Sequence, residues 1–122
     1  MTLDFLDFEF SDDEDGRGSF DALASVAPAQ WPAVLAEARR VLAWAHGAFP
    51  GARGPADDGG EWDYALEGLR EVPTPVALDF DEATGRLRER EGAAGQPRLT
   101  LSLTLSGSPA FCEAMREAFA LG

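Results

Sequence analysis

The sequence predicts an α+β domain in which two helices pack on one face of an antiparallel sheet of five to six strands. Several short segments alternate apolar and polar residues, which is typical of strands with one buried face. Two segments instead repeat apolar residues every three or four positions, which is typical of amphipathic helices. Their order is ββαββββα. The length of 122 residues suits a single domain over residues 1–122.

The first two strands are predicted to form a hairpin. Residues 3–10 and 19–26 both place apolar side chains at alternate positions, although Leu3 and Phe5 are out of phase with the rest of their segment. Between them, residues 11–18 are polar and contain two glycines, as expected of a turn.

The first helix is the clearest element. Apolar residues recur at helical spacing from Trp31 to Phe49, and Gly47 and Pro50 indicate its end. Three charged side chains fall outside this stripe and are predicted to face water: Glu37, Arg39 and Arg40.

The segment after this helix has two interpretations. Residues 50–60 are rich in glycine, proline and aspartate, which predicts a loop. In residues 61–72 the apolar side chains fit both a strand and a helix. The aromatic residues and Gly68 favour a strand with a bulge.

A second hairpin is predicted around the loop Glu82–Gly85. This register places Asp81 opposite Arg86 and Asp79 opposite Arg88, with apolar residues on the other face. We therefore interpret these arginines as ion-pair partners on the sheet surface.

The last strand and helix have clear boundaries. Leucines alternate with hydroxyl residues over residues 99–106, which predicts a strand with one polar face. Ser108 is the predicted N-cap of the final helix, and Pro109 suits its first turn.

Composition excludes several classes of function. A net charge of −12 argues against binding the phosphates of nucleic acids and against docking on an anionic membrane. A single cysteine and a single histidine exclude an internal disulfide and a zinc cluster. No secretory signal or membrane-spanning run is visible, so we expect a cytoplasmic protein. The absence of Lys, Ile and Asn suggests a GC-rich bacterial genome.

The acidic turn matches a calcium-binding EF-hand loop only in part. When Gly16 takes the glycine position of an EF-hand, Asp13 and Asp15 occupy ligand positions, but Ala22 stands where the bidentate glutamate belongs. A solvated hairpin turn is the better interpretation. No motif for a metal, a nucleotide or another cofactor is present, so we expect no cofactor.

A catalytic cysteine is the next alternative. Cys112 lies in the first turn of the final helix, where the helix dipole would lower a thiol pKa, and His46 is the only available base. Neither has the sequence context of a cysteine hydrolase. We interpret both as structural.

Two hypotheses for function remain. The first is a non-catalytic protein-binding or regulatory module, monomeric or homodimeric, with a basic protein as one possible partner. Its candidate residues are Trp44, which is either covered by the 50–60 loop or an exposed anchor, and the acidic turn: Asp12, Asp13, Glu14 and Asp15. The second is a binder of an anionic small molecule, or a minor enzyme, using Thr100, Ser102 and Thr104 with Arg86, Arg88 and Arg90.

Overall fold

A computed structural model describes residues 1–121 and contains two α-helices and six antiparallel strands, in the predicted order ββαββββα. Four strands form one sheet in the spatial order β1-β2-β6-β3, and β4 pairs with β5 in a separate two-stranded sheet. The elements are β1 (Glu9–Asp12), β2 (Gly18–Val26), α1 (Trp31–Ala48), β3 (Trp62–Glu71), β4 (Val76–Asp81), β5 (Arg86–Glu91), β6 (Arg98–Gly107) and α2 (Pro109–Ala118).

Both helices pack on one face of the four-stranded sheet, as predicted. Alternate residues of β2 and β6 are buried there, because successive side chains of a strand point to opposite faces. Val41 of α1 and Met115 of α2 join the same buried cluster as Phe20 of β2 and Leu103 of β6. In residues 1–121, neither helix has an apolar stretch long enough to cross a bilayer.

The N-terminal segment differs from the prediction. The first strand begins at Glu9 rather than at residue 3, and residues 1–8 are not part of the sheet. Leu6 and Phe8 are nevertheless buried in the core. The alternation of apolar residues thus predicted the burial of Leu6 and Phe8 correctly, but the strand that it predicted over residues 3–8 is absent.

Glu37 holds this segment in place, and the prediction that it faces water was wrong. Its side chain is only 2% exposed. Its carboxylate accepts hydrogen bonds from the backbone N–H groups of Asp4 at 2.8 Å, Phe5 at 3.0 Å and Leu6 at 3.0 Å. A buried carboxylate needs such donors, and here the chain itself supplies them.

Strand β3 confirms the strand interpretation of residues 61–72, but it contains no bulge. It pairs with β6 in unbroken register from Trp62 opposite Gly107 to Glu71 opposite Arg98. Gly68 lies beneath the ring of Trp31, whose Cζ2 atom is 3.9 Å from the position of a Cβ at that glycine. A Cβ at this position would make an ordinary van der Waals contact with the ring, so the structure shows neither a bulge nor a steric requirement for glycine here.

The second hairpin has the predicted register. Asp79 lies opposite Arg88, and Asp81 lies opposite Arg86. Gly85 adopts the expected left-handed conformation, with φ of 69°. Backbone hydrogen bonds from Gly92 to Pro75 and from Gly95 to Pro73 extend the two-stranded ribbon towards the sheet. We call residues 72–97 the arm.

Helix α2 begins as predicted. Ser108 Oγ accepts a hydrogen bond from the backbone N–H of Phe111 at 3.2 Å, and Pro109 is the first helical residue. The same hydroxyl donates to Glu61 Oε1 at 2.6 Å, which connects the cap to the start of β3.

Candidate functional site

Within residues 1–121, no helix or strand packs over the side of the four-stranded sheet that faces away from the helices, and we call this side the open face. It consists of Glu9 and Ser11 of β1, the odd-numbered residues of 19–25 in β2 and 63–71 in β3, and the even-numbered residues of 98–106 in β6. The four hydroxyl residues of β6 run down its middle, all half-buried: Thr100, Ser102, Thr104 and Ser106.

The open face is strongly acidic. Its carboxylates come from both sides of the central hydroxyl row: Glu9, Asp21, Asp63, Glu67 and Glu71. Its one arginine is Arg98, whose guanidinium donates to Ser25 Oγ at 2.8 Å and to the Ser25 carbonyl at 3.0 Å. The positive charge on this face is thus already fixed at one end of the sheet.

Two of the five carboxylates have side-chain partners. Asp63 is paired with Arg53 at 2.9 Å, and Asp21 accepts a hydrogen bond from Thr104 at 2.6 Å. Within residues 1–121, Glu9, Glu67 and Glu71 form no ion pair. Their negative charge is free to act on a partner.

An open depression of about 410 Å³ lies on the β1 side of this face. It is lined by three carboxylates, Asp7, Glu9 and Asp21, together with Leu23 and two hydroxyl residues of β6. Small-molecule sites are usually enclosed and largely apolar, so this shallow acidic surface is better suited to an extended cationic segment.

Two exposed leucines lie among the acids. Leu23 of β2 is 66% exposed and lies opposite Ser102, whereas Leu69 of β3 is 56% exposed and lies opposite Thr100. The two leucines therefore lie on opposite sides of β6, next to two successive open-face residues of that strand. An apolar centre with a charged rim is the usual composition of a protein-binding surface.

The acidic turn is exposed, as predicted. Asp13 Oδ1 accepts backbone N–H groups of Asp15 and Arg17, each at 3.0 Å, and Gly16 has a φ of 81°. The flanking elements are strands, as the hairpin interpretation requires. In the described part of the chain, no three histidine, cysteine, aspartate or glutamate side chains are grouped as metal ligands.

Trp44 is largely engaged in packing within the chain. Its ring centroid lies 5.4 Å from that of Phe119, 5.9 Å from Phe111 and 6.4 Å from Phe49. The cover predicted from the 50–60 loop thus comes from α2 and Phe49, and the ring is only partly exposed.

Cys112 and His46 have different neighbours. Cys112 is buried, and its Sγ lies 3.6 Å from the Gly107 carbonyl oxygen. Burial raises the pKa of this thiol above its ordinary value, which outweighs the lowering effects of the Gly18 backbone and Arg116. The His46 ring lies edge-on to Trp62 at 4.9 Å. This arrangement does not favour a thiolate nucleophile.

The hydroxyl and arginine rows proposed for an anionic ligand lie on different sheets. Thr100, Ser102 and Thr104 belong to the open face, whereas Arg86, Arg88 and Arg90 belong to the arm. In the arm, Arg88 bonds diagonally to Asp81 at 3.4 Å rather than to the residue opposite it. The structure therefore does not assemble these residues into one site.

Comparison of the chain with protein-family models, with curated proteins and with solved structures gave no match.

Sequence reasoning proposed the polar side of β6 as a site for an anionic ligand, but it missed the carboxylates and the exposed leucines that share the open face with it. Leu23 and Leu69 are separated by 46 positions in the sequence and share a surface only because β2 and β3 both pair with β6. The available signal was local: Leu23 is a large apolar residue in the polar phase of its strand.

Proposed function

We propose that this protein is a non-catalytic protein-binding module whose open face binds a basic, partly apolar segment of another protein. One observation carries the proposal: five carboxylates surround two exposed leucines on an uncovered sheet face whose single arginine is already bonded to Ser25.

The charge and shape of this face select the class of partner. Phosphates of nucleic acids and anionic lipids would be repelled by the acidic rim. A basic protein segment would instead be attracted, and electrostatic complementarity mainly raises the rate and specificity of association. Leu23 and Leu69 would lose contact with water on binding, which supplies a favourable hydrophobic contribution.

The acidic turn has a supporting role in this proposal. Asp12 is the last residue of β1, which also contributes Glu9 to the open face, and Asp13–Asp15 follow it; all four acidic residues of the turn are exposed. Their negative charge extends the electrostatic field at that end of the sheet and would steer a basic partner towards it.

The test compares the partners captured by matched variants of the immobilised protein from a lysate of its source cells. Asp21→Asn with Glu67→Gln removes two charges from the open face. Glu113→Gln with Glu117→Gln removes two charges from the exposed side of α2. We expect one stoichiometric, salt-sensitive basic partner that the first variant loses and the second retains.

Two results would contradict the proposal. One is a partner that both variants retain equally, which would place the binding surface elsewhere. The other is only non-specific background from the unchanged protein at both low and high salt.

A further inference from the structure

One face of the arm carries four exposed apolar side chains together with Glu89 and Glu91, and nothing in residues 1–121 covers it. Val76, Leu78, Phe80 and Leu87 are between 51% and 66% exposed, and the register places Phe80 opposite Leu87 on the same face. A two-stranded ribbon alone is only marginally stable in water, and additional strands stabilise it. We propose that the arm pairs with the arm of a second copy of this chain through the free edge of β4.

The backbone of β4 has the pattern that such pairing requires. Gly92 N donates to the Pro75 carbonyl at 2.8 Å, so these two residues form a hydrogen-bonded pair of the ribbon. Hydrogen-bonded and non-hydrogen-bonded pairs alternate in an antiparallel ladder. The N–H and C=O groups of Val76, Leu78 and Phe80 therefore point away from β5, and no backbone group in the described chain bonds to them.

The residues of the β4 edge can pair with the same strand of a second copy. A two-fold axis at Leu78 places Leu78 opposite its copy and Val76 opposite Phe80, so the outward backbone groups of all three residues find partners. The same axis places Ala77 opposite Asp79. Apolar side chains thus meet on one face, and no like charges lie directly opposite each other.

The other edge of the arm does not have this property. Strand β5 reads Arg-Leu-Arg-Glu-Arg-Glu from Arg86 to Glu91. Any antiparallel pairing of two copies about residues 87–90 places arginine opposite arginine or glutamate opposite glutamate. Like charges directly opposite each other destabilise a sheet, which favours the β4 edge.

The distribution of charge also favours association through the arm. Residues 72–97 contain five acids and three arginines, a net charge of −2, whereas the whole chain carries −12. Contact through the arms therefore leaves most of the repelling negative charge on the two separate bodies.

Sedimentation velocity of the full chain at hundreds of micromolar tests this pairing. We expect the unchanged protein to form a dimer. Ala77→Asp places a carboxylate opposite Asp79 of the second copy on both sides of the two-fold axis, and we expect it to weaken the dimer about tenfold. Within its own hairpin, residue 77 lies opposite Arg90, so the new carboxylate leaves the arm folded.

Leu87→Ser is the matched control, because Leu87 lies on the same apolar face but on the strand outside the pairing edge. We expect it to retain the dimer. A monomeric unchanged protein would overturn the proposal, and so would an Ala77→Asp variant as dimeric as the parent. Loss of the dimer in Leu87→Ser to the same extent would also overturn it, because face-to-face packing of the arms would then explain association. None of these results bears on the open face, whose tested residues Asp21 and Glu67 lie outside the arm.

Discussion

At the scale of single residues, Glu37 has the most specific structural role. Three consecutive backbone N–H groups of the N-terminal segment donate to one buried carboxylate. This interaction closes Leu6 and Phe8 over the core without strand pairing. The sequence could not reveal it, because the azimuth of Glu37 on α1 predicts exposure unless the path of residues 1–8 is known.

Replacing Glu37 with alanine is expected to destabilise the protein by about 3 kcal/mol, because buried N–H groups lose a charged acceptor. Glu37→Gln retains one acceptor oxygen and should cost roughly half as much. Urea denaturation measures both values. Glu113→Gln, on an exposed part of α2, is the control and should leave the midpoint unchanged. A Glu37→Ala variant as stable as the parent would refute this role.

Cys112 provides a prediction about pH. Its thiol pKa is raised above 9.0 by burial, so the folded state holds this proton more tightly than the unfolded state. Around neutral pH the thiol is protonated in both states, so its contribution to the free energy of unfolding does not vary with pH. This contribution decreases as the pH rises through and above the ordinary thiol pKa. A Cys112→Ala variant should therefore lose less stability than the parent between pH 8 and pH 10, measured by urea denaturation. An identical pH dependence in both proteins would contradict this.

At the scale of elements, local pairing was predictable and distant pairing was not. The register of β4 and β5 followed from charges and a glycine within a sixteen-residue hairpin, Val76–Glu91. By contrast, the bulge expected at Gly68 was wrong, because β3 pairs with β6 without interruption. Gly68 instead lies next to the ring of Trp31, and the local sequence gives no sign of this contact between distant segments.

The cap of α2 gives a prediction at this scale. Ser108→Ala removes the acceptor for the Phe111 N–H and the donor to Glu61, so we expect a loss of about 1–2 kcal/mol. Ser106→Ala, two residues earlier on the open face, is the control. Thermal denaturation should show a clearly lower midpoint for the first variant only. Equal midpoints would mean that the cap contributes nothing measurable.

At the scale of the whole molecule, the fold sorts its surface into distinct regions. The helices cover one side of the four-stranded sheet, five carboxylates lie on the other side, and residues 72–97 form the arm as a separate two-stranded sheet. Composition alone predicted an acidic protein, but it could not predict which carboxylates share one surface of the fold. The open face exists only after β6 has been inserted between β2 and β3.

The proposed role of the open face is tested most directly by an amide NMR titration with a synthetic amphipathic peptide that contains alternating arginines and leucines. We expect shifts on β2, β3 and β6 around Leu23, Glu67 and Leu69, which diminish as salt is added. Shifts confined to the helices around Trp44, or no shifts at saturating peptide, would contradict the proposal that this acidic sheet face is the binding surface.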